Sequence, residues 1–251
     1  LLSAVLDDPT GPGRPLRDPN GRMVRIVGEK DADEAQRRIT EINGGVYVFA
    51  RRALEHALAE IGTDNAQAEK YLTDAATRIL SAGGAVEAVV TDDPWLIAGV
   101  NDRVQLADAG REMNRRIVTA HQRAGVTVQD PASTWIDADV TIEPDVEILP
   151  GTFLHGATSI ASGAVIGPET TLVDCEVGER VRIRRSEATL AVFADGAVVG
   201  PFSYIRPGTE LGAGGKIGAF VETKNARIGD GSKVPHLSYV GDATIGDDSN
   251  V

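Results

Sequence analysis

Cysteine occurs once, at Cys175, so no internal disulfide can staple this chain, and the usage fits a reducing cytoplasm. Aromatic residues make up 4%, which leaves Val, Ile, Leu and Ala to build the core. Basic residues are in deficit: 25 Lys and Arg stand against 37 Asp and Glu, a net charge of −12. That balance argues against nucleic acid and anionic membrane as main partners. A local Arg/Lys cluster can still hold a phosphate on an acidic protein. No apolar run is long enough to cross a membrane, and no signal-peptide pattern is present. The opening "LLSAVLDDPTG" has no Met and reads like the middle of a domain, so a fragment is expected.

What the chain does contain is 42% apolar residues and 28 glycines in 251 residues, enough for two cores and suggestive of repetitive β-structure. The first hundred residues read as mixed α/β. "DPNG" (18–21) is a turn signal, and "GGVYVF" (44–49) and "AVEAVV" (85–90) are strand candidates, the first of them buried. "RRALEHALAEI" predicts an amphipathic helix with Leu54, Leu58 and Ile61 on one face. "EKYLTDAATRIL" predicts another, with Leu72, Ala75, Ala76 and Ile79, stopped by Gly83. From Arg103 to Ala124 the apolar positions Leu106, Ala109, Met113, Ile117, Ala120 and Ala124 recur at steps of three and four, predicting one long connecting helix stopped by Gly125.

A different beat follows. Ile136, Ile142, Ile148, Leu154, Ile160, Ile166 and Leu172 fall six apart, and the fifth place of each hexad is small or β-branched (Val140, Val146, Thr152, Thr158, Ala164, Thr170). The register blurs between Arg184 and Val198, then resumes at Val199, Ile205, Leu211 and Ile217. Hexapeptide repeats of this kind predict a parallel β-helix, three hexads to a coil, each coil burying its apolar faces against its neighbours. Eighteen residues separate Arg206 from Lys224, so the two should leave one edge of successive coils. Tyr239 returns to that corner, His236 lies on the face leading to it, and Asn250 lies at the neighbouring corner. Cations, a phenol, an imidazole and an amide together suit an anionic, hydroxylated ligand, although each alone also reads as an ordinary surface residue.

"NAQAEKYLTD" (65–74), "AGVNDRVQLA" (98–107), "GPFSYIRPGTELG" (200–212), "FVETKNARIGDGSK" (220–233) and "PHLSYVGDATIGDDSN" (235–250) occur in this order along the chain. Together they resemble the bacterial bifunctional N-acetylglucosamine-1-phosphate uridyltransferase/glucosamine-1-phosphate acetyltransferase family, and "DPASTWIDADVTI" is similar to its actinobacterial members. The resemblance implies the C-terminal part of a Rossmann-like α/β nucleotidyltransferase domain over 1–102, a linker helix over 103–125, and a left-handed parallel β-helix acetyltransferase domain over 126–251. It implies acetylation of glucosamine 1-phosphate by acetyl-CoA, then transfer of UMP from UTP with Mg²⁺, giving UDP-N-acetylglucosamine for the cell wall. A cytoplasmic homotrimer is implied as well.

Carried over by residue, the resemblance makes His236 the general base and places Arg206, Lys224, Tyr239 and Asn250 at the sugar phosphate. An amine attacking a thioester must lose a proton, and imidazole is the side chain suited to take it near neutral pH. In the first domain, Gly13 of "GPGR" and Asn43 of "EIN" fall at the N-acetylglucosamine site, and Asn101 of "GVNDR" beside the nucleotide as a Mg²⁺ ligand. Pro12 stands where the family has Tyr. The sugar-binding glutamate falls on Gly28, with Glu29 beside it; either a local bulge restores Glu29 or the contact is lost. The family's glycine-rich loop, lysine and metal aspartate have no counterpart in the sequence, and its "NYDG" asparagine and acetyl-CoA contacts would lie past Val251. The chain alone is therefore expected not to transfer uridylyl groups. Two rival readings are a catalytically incomplete trimeric scaffold and a hexapeptide-fold carbonic anhydrase. The second needs three convergent histidines, whereas His56 and His121 sit on helices and His155 and His236 are not at ligand spacing.

Overall fold

A computed structural model describes residues 1–63 and 68–251, so positions 65–67 of the "NAQAEKYLTD" motif lie outside the described residues. The chain divides into two compact units, Leu1–Ala109 and Gly110–Val251.

The first unit is mixed α/β. Strand Leu2–Val5 pairs antiparallel with Glu41–Asn43 and parallel with Val89–Thr91, and Arg14–Arg17 forms a separate antiparallel pair with Met23–Val27. Helices Arg51–Glu60 and Leu72–Ser81 pack through Ala57, Ile61 and Ala75, with Leu54, Phe49 and Ile79 against them. The buried face of the first helix therefore runs through Ala57, and Leu58 is exposed. Two facing alanines let the helices approach closely, which turns Leu58 and Leu72 outward. The run 44–49 is not a buried strand: Val46 and Val48 are exposed while Tyr47 and Phe49 turn inward and stack at 5.4 Å. Alternation buries one side of it only.

In the second unit, the long helix Arg103–Arg123 contributes its later turns. Its anticipated stripe is only partly used, because Leu106 and Met113 are exposed. Val118 and Ile117 pack onto the coils instead, and buried Asn114 clasps the first coil. Its amide donates to Thr134 O at 2.8 Å and accepts from Ile136 N–H at 3.0 Å. A buried amide satisfied on both sides fixes helix to coil in one register. Gly125 ends the helix in the left-handed region, at φ +102°.

The coils are a parallel β-solenoid. On one face seven strands stack: Trp135–Ile136, Phe153–His155, Thr171–Val173, Glu187–Thr189, Tyr204–Ile205, Glu222–Ile228 and Tyr239–Ile245. Inside, Ile136, Leu154, Leu172, Ala188, Ile205, Thr223 and Val240 form one buried column. The threonines are buried without being orphaned: Thr152, Thr158 and Thr209 each donate to the carbonyl three residues back, at 2.7–2.9 Å. The blurred stretch of the sequence is no break in the solenoid. Leu172 pairs with Ala188, sixteen residues on, and Ala188 with Ile205, seventeen on, where Leu154 and Leu172 are eighteen apart. Some repeats have five residues, and non-glycine residues in the left-handed region, such as Arg185 (φ 43°) and Leu190 (φ 47°), take the shortened corners. Isolated residues are rarely held there, and the stacked hydrogen bonds above and below impose it.

Candidate functional site

The expected corner is built by register. Tyr204 and Ile205 pair with Glu222 and Thr223, which pair in turn with Tyr239 and Val240. The residue beyond each pair therefore forms a second outward column: Arg206, Lys224, Gly241. Arg206 N–H donates to Thr223 O at 2.9 Å, extending the ladder to the base of the site. Arg206 and Lys224 thus stand one coil apart on the same edge, half-buried, and Tyr239 begins the strand above.

The two cations do not face each other bare. Glu222, two residues before Lys224 and on the same side of its strand, accepts from Arg206 Nη1 at 2.9 Å. Both partners are more than a third exposed, so solvent and salt hold this pair to a modest contribution. Among the described residues Lys224 has no carboxylate in ion-pair contact. An anion at this corner therefore meets one free ammonium and one guanidinium shared with Glu222. The sequence reading missed Glu222, although its parity with Lys224 in the strand was a usable signal.

His236 ends strand Lys233–His236, paired with Ala219 of the coil below, and it is exposed three residues before Tyr239. The corner between them is turned by Leu237 at φ 51°, as Phe220 (57°) and Phe202 (60°) turn it in the two coils below. Phe202 and Phe220 stack at 5.3 Å and stay exposed, giving the corner an apolar flank that the repeat pattern did not announce. Asn250 is placed differently. It pairs with Lys233, at the start of the strand that His236 ends, so within one chain it stands at the far end of that face.

In the first unit, Gly13, Glu29 and Asn43 line one pocket of about 600 Å³, together with Tyr47, Lys70 and Tyr71. Gly13 O accepts from Asn43 N–H at 2.8 Å, so the turn and the strand end are bonded directly. A Cβ on Gly13 would stand 3.1 Å from Ile26 Cγ2 and 3.3 Å from Val27 O, so the close approach uses glycine. Glu29 is reached by a turn, not a bulge: the strand ends at Val27, and Asp31 N–H bonds Gly28 O at 3.1 Å. Strand parity therefore does not govern Glu29. Its Oε2 accepts from Arg14 Nη2 at 2.6 Å and from Gly11 N–H at 3.3 Å. Arg14 is buried and also donates to Pro12 O and Ile39 O, and its guanidinium holds the Glu29 carboxyl below the usual carboxylate range. The Tyr47 hydroxyl is buried without a well-formed hydrogen bond, and burial pushes its pKa up; nearby Asn43 opposes the shift weakly.

Asn101 is not in that lining. It is exposed, and its N–H donates to Gln105 Oε1 at 2.7 Å. Among the described residues no cluster of three His, Cys, Asp or Glu could hold a metal ion. A single amide does not fit Mg²⁺, which needs near-octahedral oxygen ligation. His155 is committed elsewhere, with Nδ1 3.2 Å from Asp137 Oδ2. No described helix is long and apolar enough to cross a membrane.

No protein-family model matches the chain. Among curated proteins, the Bifunctional protein GlmU of Clavibacter sepedonicus is 60% identical over 251 residues, covering 100% of this chain and 51% of that protein. GlmU of Mycolicibacterium gilvum is 59% identical over the same length, 50% of its own, and GlmU of Kineococcus radiotolerans 57%, 51% of its own. The chain thus spans about half the length of the curated relatives it matches. Among solved structures, a mutant perosamine N-acetyltransferase from Caulobacter crescentus, in complex with CoA and GDP-perosamine, aligns over 64% of this chain and 82% of its own. Its identity is 18% and its TM-score 0.36, too slight a likeness to carry an argument. Over its full length, this chain is similar to the bifunctional GlmU proteins, about half of whose length it spans.

Proposed function

We propose that the solenoid acetylates glucosamine 1-phosphate with acetyl-CoA, and that the first unit serves uridylyl transfer from UTP to N-acetylglucosamine 1-phosphate. The observation that carries this reading is the outward column of Arg206 and Lys224 beneath Tyr239, with His236 on the strand that leads into the same corner. A dianionic phosphate meets Lys224 directly and competes with Glu222 for Arg206. Charge-assisted bonds of this kind orient the sugar as well as bind it. With the phosphate seated, the sugar's amine attacks the thioester carbonyl. A C–N bond forms, the C–S bond breaks, His236 accepts the amine proton, and the sulfur leaves as the coenzyme thiolate. Asn250, at the far end of the face, belongs to the sugar-phosphate site in this reading, which takes the coils as left-handed and the assembly as a homotrimer.

In the first unit, the Gly13 main chain and Asn43 receive the acetamido sugar, and Glu29 offers a carboxylate oxygen that Arg14 does not occupy. Asn101 lies toward the nucleotide and Mg²⁺ by resemblance, and no catalytic step is assigned to it. Both activities belong in the cytoplasm, where UTP and acetyl-CoA are available.

The test is thiol release from acetyl-CoA by the protein that carries this chain. Release should require glucosamine 1-phosphate and be far slower with glucosamine. Equal rates with both sugars, or no release with either, would overturn the reading and favour a scaffold.

A further inference from the structure

Gly241 occupies the third place of the outward column whose first two members are Arg206 and Lys224. It carries no side chain there, yet its lane is filled. A Cβ built on Gly241 would overlap Tyr239 Oη and Cζ and stand 2.7 Å from Cε1, well inside ordinary van der Waals contact. The phenol of Tyr239 therefore lies along its own strand, with its hydroxyl over Gly241, where the two lower coils project a guanidinium and an ammonium. All three nearest atoms belong to the Tyr239 side chain. That separates Gly241 from a glycine such as Gly218, whose Cβ would collide with the Pro235 backbone. Gly241 is also not among the glycines at positive φ, so its backbone would accept an L-residue.

We propose that Gly241 is a positioning residue for the sugar-phosphate site: its missing side chain lets the Tyr239 hydroxyl complete the column of Arg206 and Lys224. This rests on the acetyltransferase reading above. A charged residue in the third coil would crowd and repel the two below it. A hydroxyl laid over a glycine instead offers a neutral donor at the same height, so the column presents an ammonium, a guanidinium and a phenol to one anion. Glycine is needed for the space it leaves and for nothing else visible in the fold.

Calorimetric titration of glucosamine 1-phosphate into the protein carrying this chain tests it, with the wild type, Gly241→Ala, Tyr239→Phe and the double variant compared. Gly241→Ala should melt at or slightly above the wild-type temperature, because glycine-to-alanine changes at compatible backbone angles restrict the unfolded chain. It should weaken binding by about tenfold, as loss of one hydrogen bond to a charged group does, and raise KM with little change in kcat. Tyr239→Phe should weaken binding similarly, and the double variant should be no weaker than either. Wild-type binding that Gly241→Ala leaves unchanged, or losses that multiply in the double variant, would overturn this inference alone. No binding by the wild type would overturn it together with the functional reading. Should Gly241→Ala fail to fold, Tyr239→Ala in the same chain should restore folding, and failure to do so would assign Gly241 to the backbone and overturn the inference.

Discussion

The solenoid and the first unit reach a binding surface by opposite routes. In the solenoid, Arg206, Lys224 and Tyr239 meet because parallel register repeats every seventeen or eighteen residues. In the first unit, Gly13, Glu29 and Asn43 meet because the segment before one hairpin strand, the turn after the other and a strand end close on each other, with Arg14 holding Glu29 and Gly13 O accepting from Asn43 N–H. A periodic fold lets a site be counted along the chain, whereas a mixed fold assembles one by closure that no count predicts. The solenoid corner is also an open edge, while the first unit's site is a pocket with a buried arginine behind it.

The largest test of this contrast is catalytic. His236→Ala should slow acetyl transfer by about 10²–10⁴-fold with sugar-phosphate affinity nearly unchanged. Steady-state kinetics alongside calorimetry checks it, and an unchanged rate would reduce the corner to a binding edge.

Next is the stack itself. Leu154→Ala should cost about 2–5 kcal/mol, because Leu154 is fully buried between its coil neighbours and a rigid stack collapses poorly around a cavity. Denaturant unfolding followed by a probe in each unit should show the solenoid transition moving to lower denaturant and the first unit's holding. Equal shifts in both would mean that the two units unfold as one.

A smaller effect sharpens the charge account of the corner. Arg206→Ala or Lys224→Ala should weaken glucosamine 1-phosphate by about ten- to a hundredfold and glucosamine much less, a charge-assisted bond being worth roughly 1.5–3 kcal/mol. Glu222→Gln should act in the opposite direction, tightening the phosphorylated sugar by about two- to fivefold, since an exposed pair is worth under about 1 kcal/mol. Tightening of both sugars alike would show that Glu222 does not compete with phosphate.

The smallest effect concerns the pocket. The Glu29 carboxyl is held below its ordinary value by Arg14, so its folded pKa lies under its unfolded one. The stability it adds is full above about pH 4.3 and is lost as pH falls through the depressed value. Melting temperatures of the wild type and Glu29→Gln should therefore converge on acidification below about pH 4. A gap that does not narrow on acidification would mean that the carboxylate charge is not what Glu29 contributes.

Much of this was legible beforehand, unevenly. The apolar beat marked the buried positions from Ile136 to Ile217 on all faces of the coils, and the eighteen-residue interval put Arg206 beside Lys224, since the inward side of each coil must be buried. The same counting could not see that Glu222 shares Arg206, or that Phe202 and Phe220 stack outward at a left-handed corner. Both are relations between side chains on an exposed surface, where hydrophobic periodicity says nothing. The helices were readable as helices, but their buried faces were not. Ala57 displaced Leu58 because closeness of approach between two helices, not hydrophobicity alone, decides which stripe is covered.

By itself the sequence determined the solenoid and the order of its coils, because a residue's place in a stack of short parallel strands depends only on its distance along the chain. Tertiary structure alone decided that Glu29 comes from a turn held by Arg14, that Asn250 stands at the far end of its face, and that the Tyr239 ring lies over Gly241. Those outcomes depend on where chain segments of unrelated length close, and on which lane a side chain finds empty.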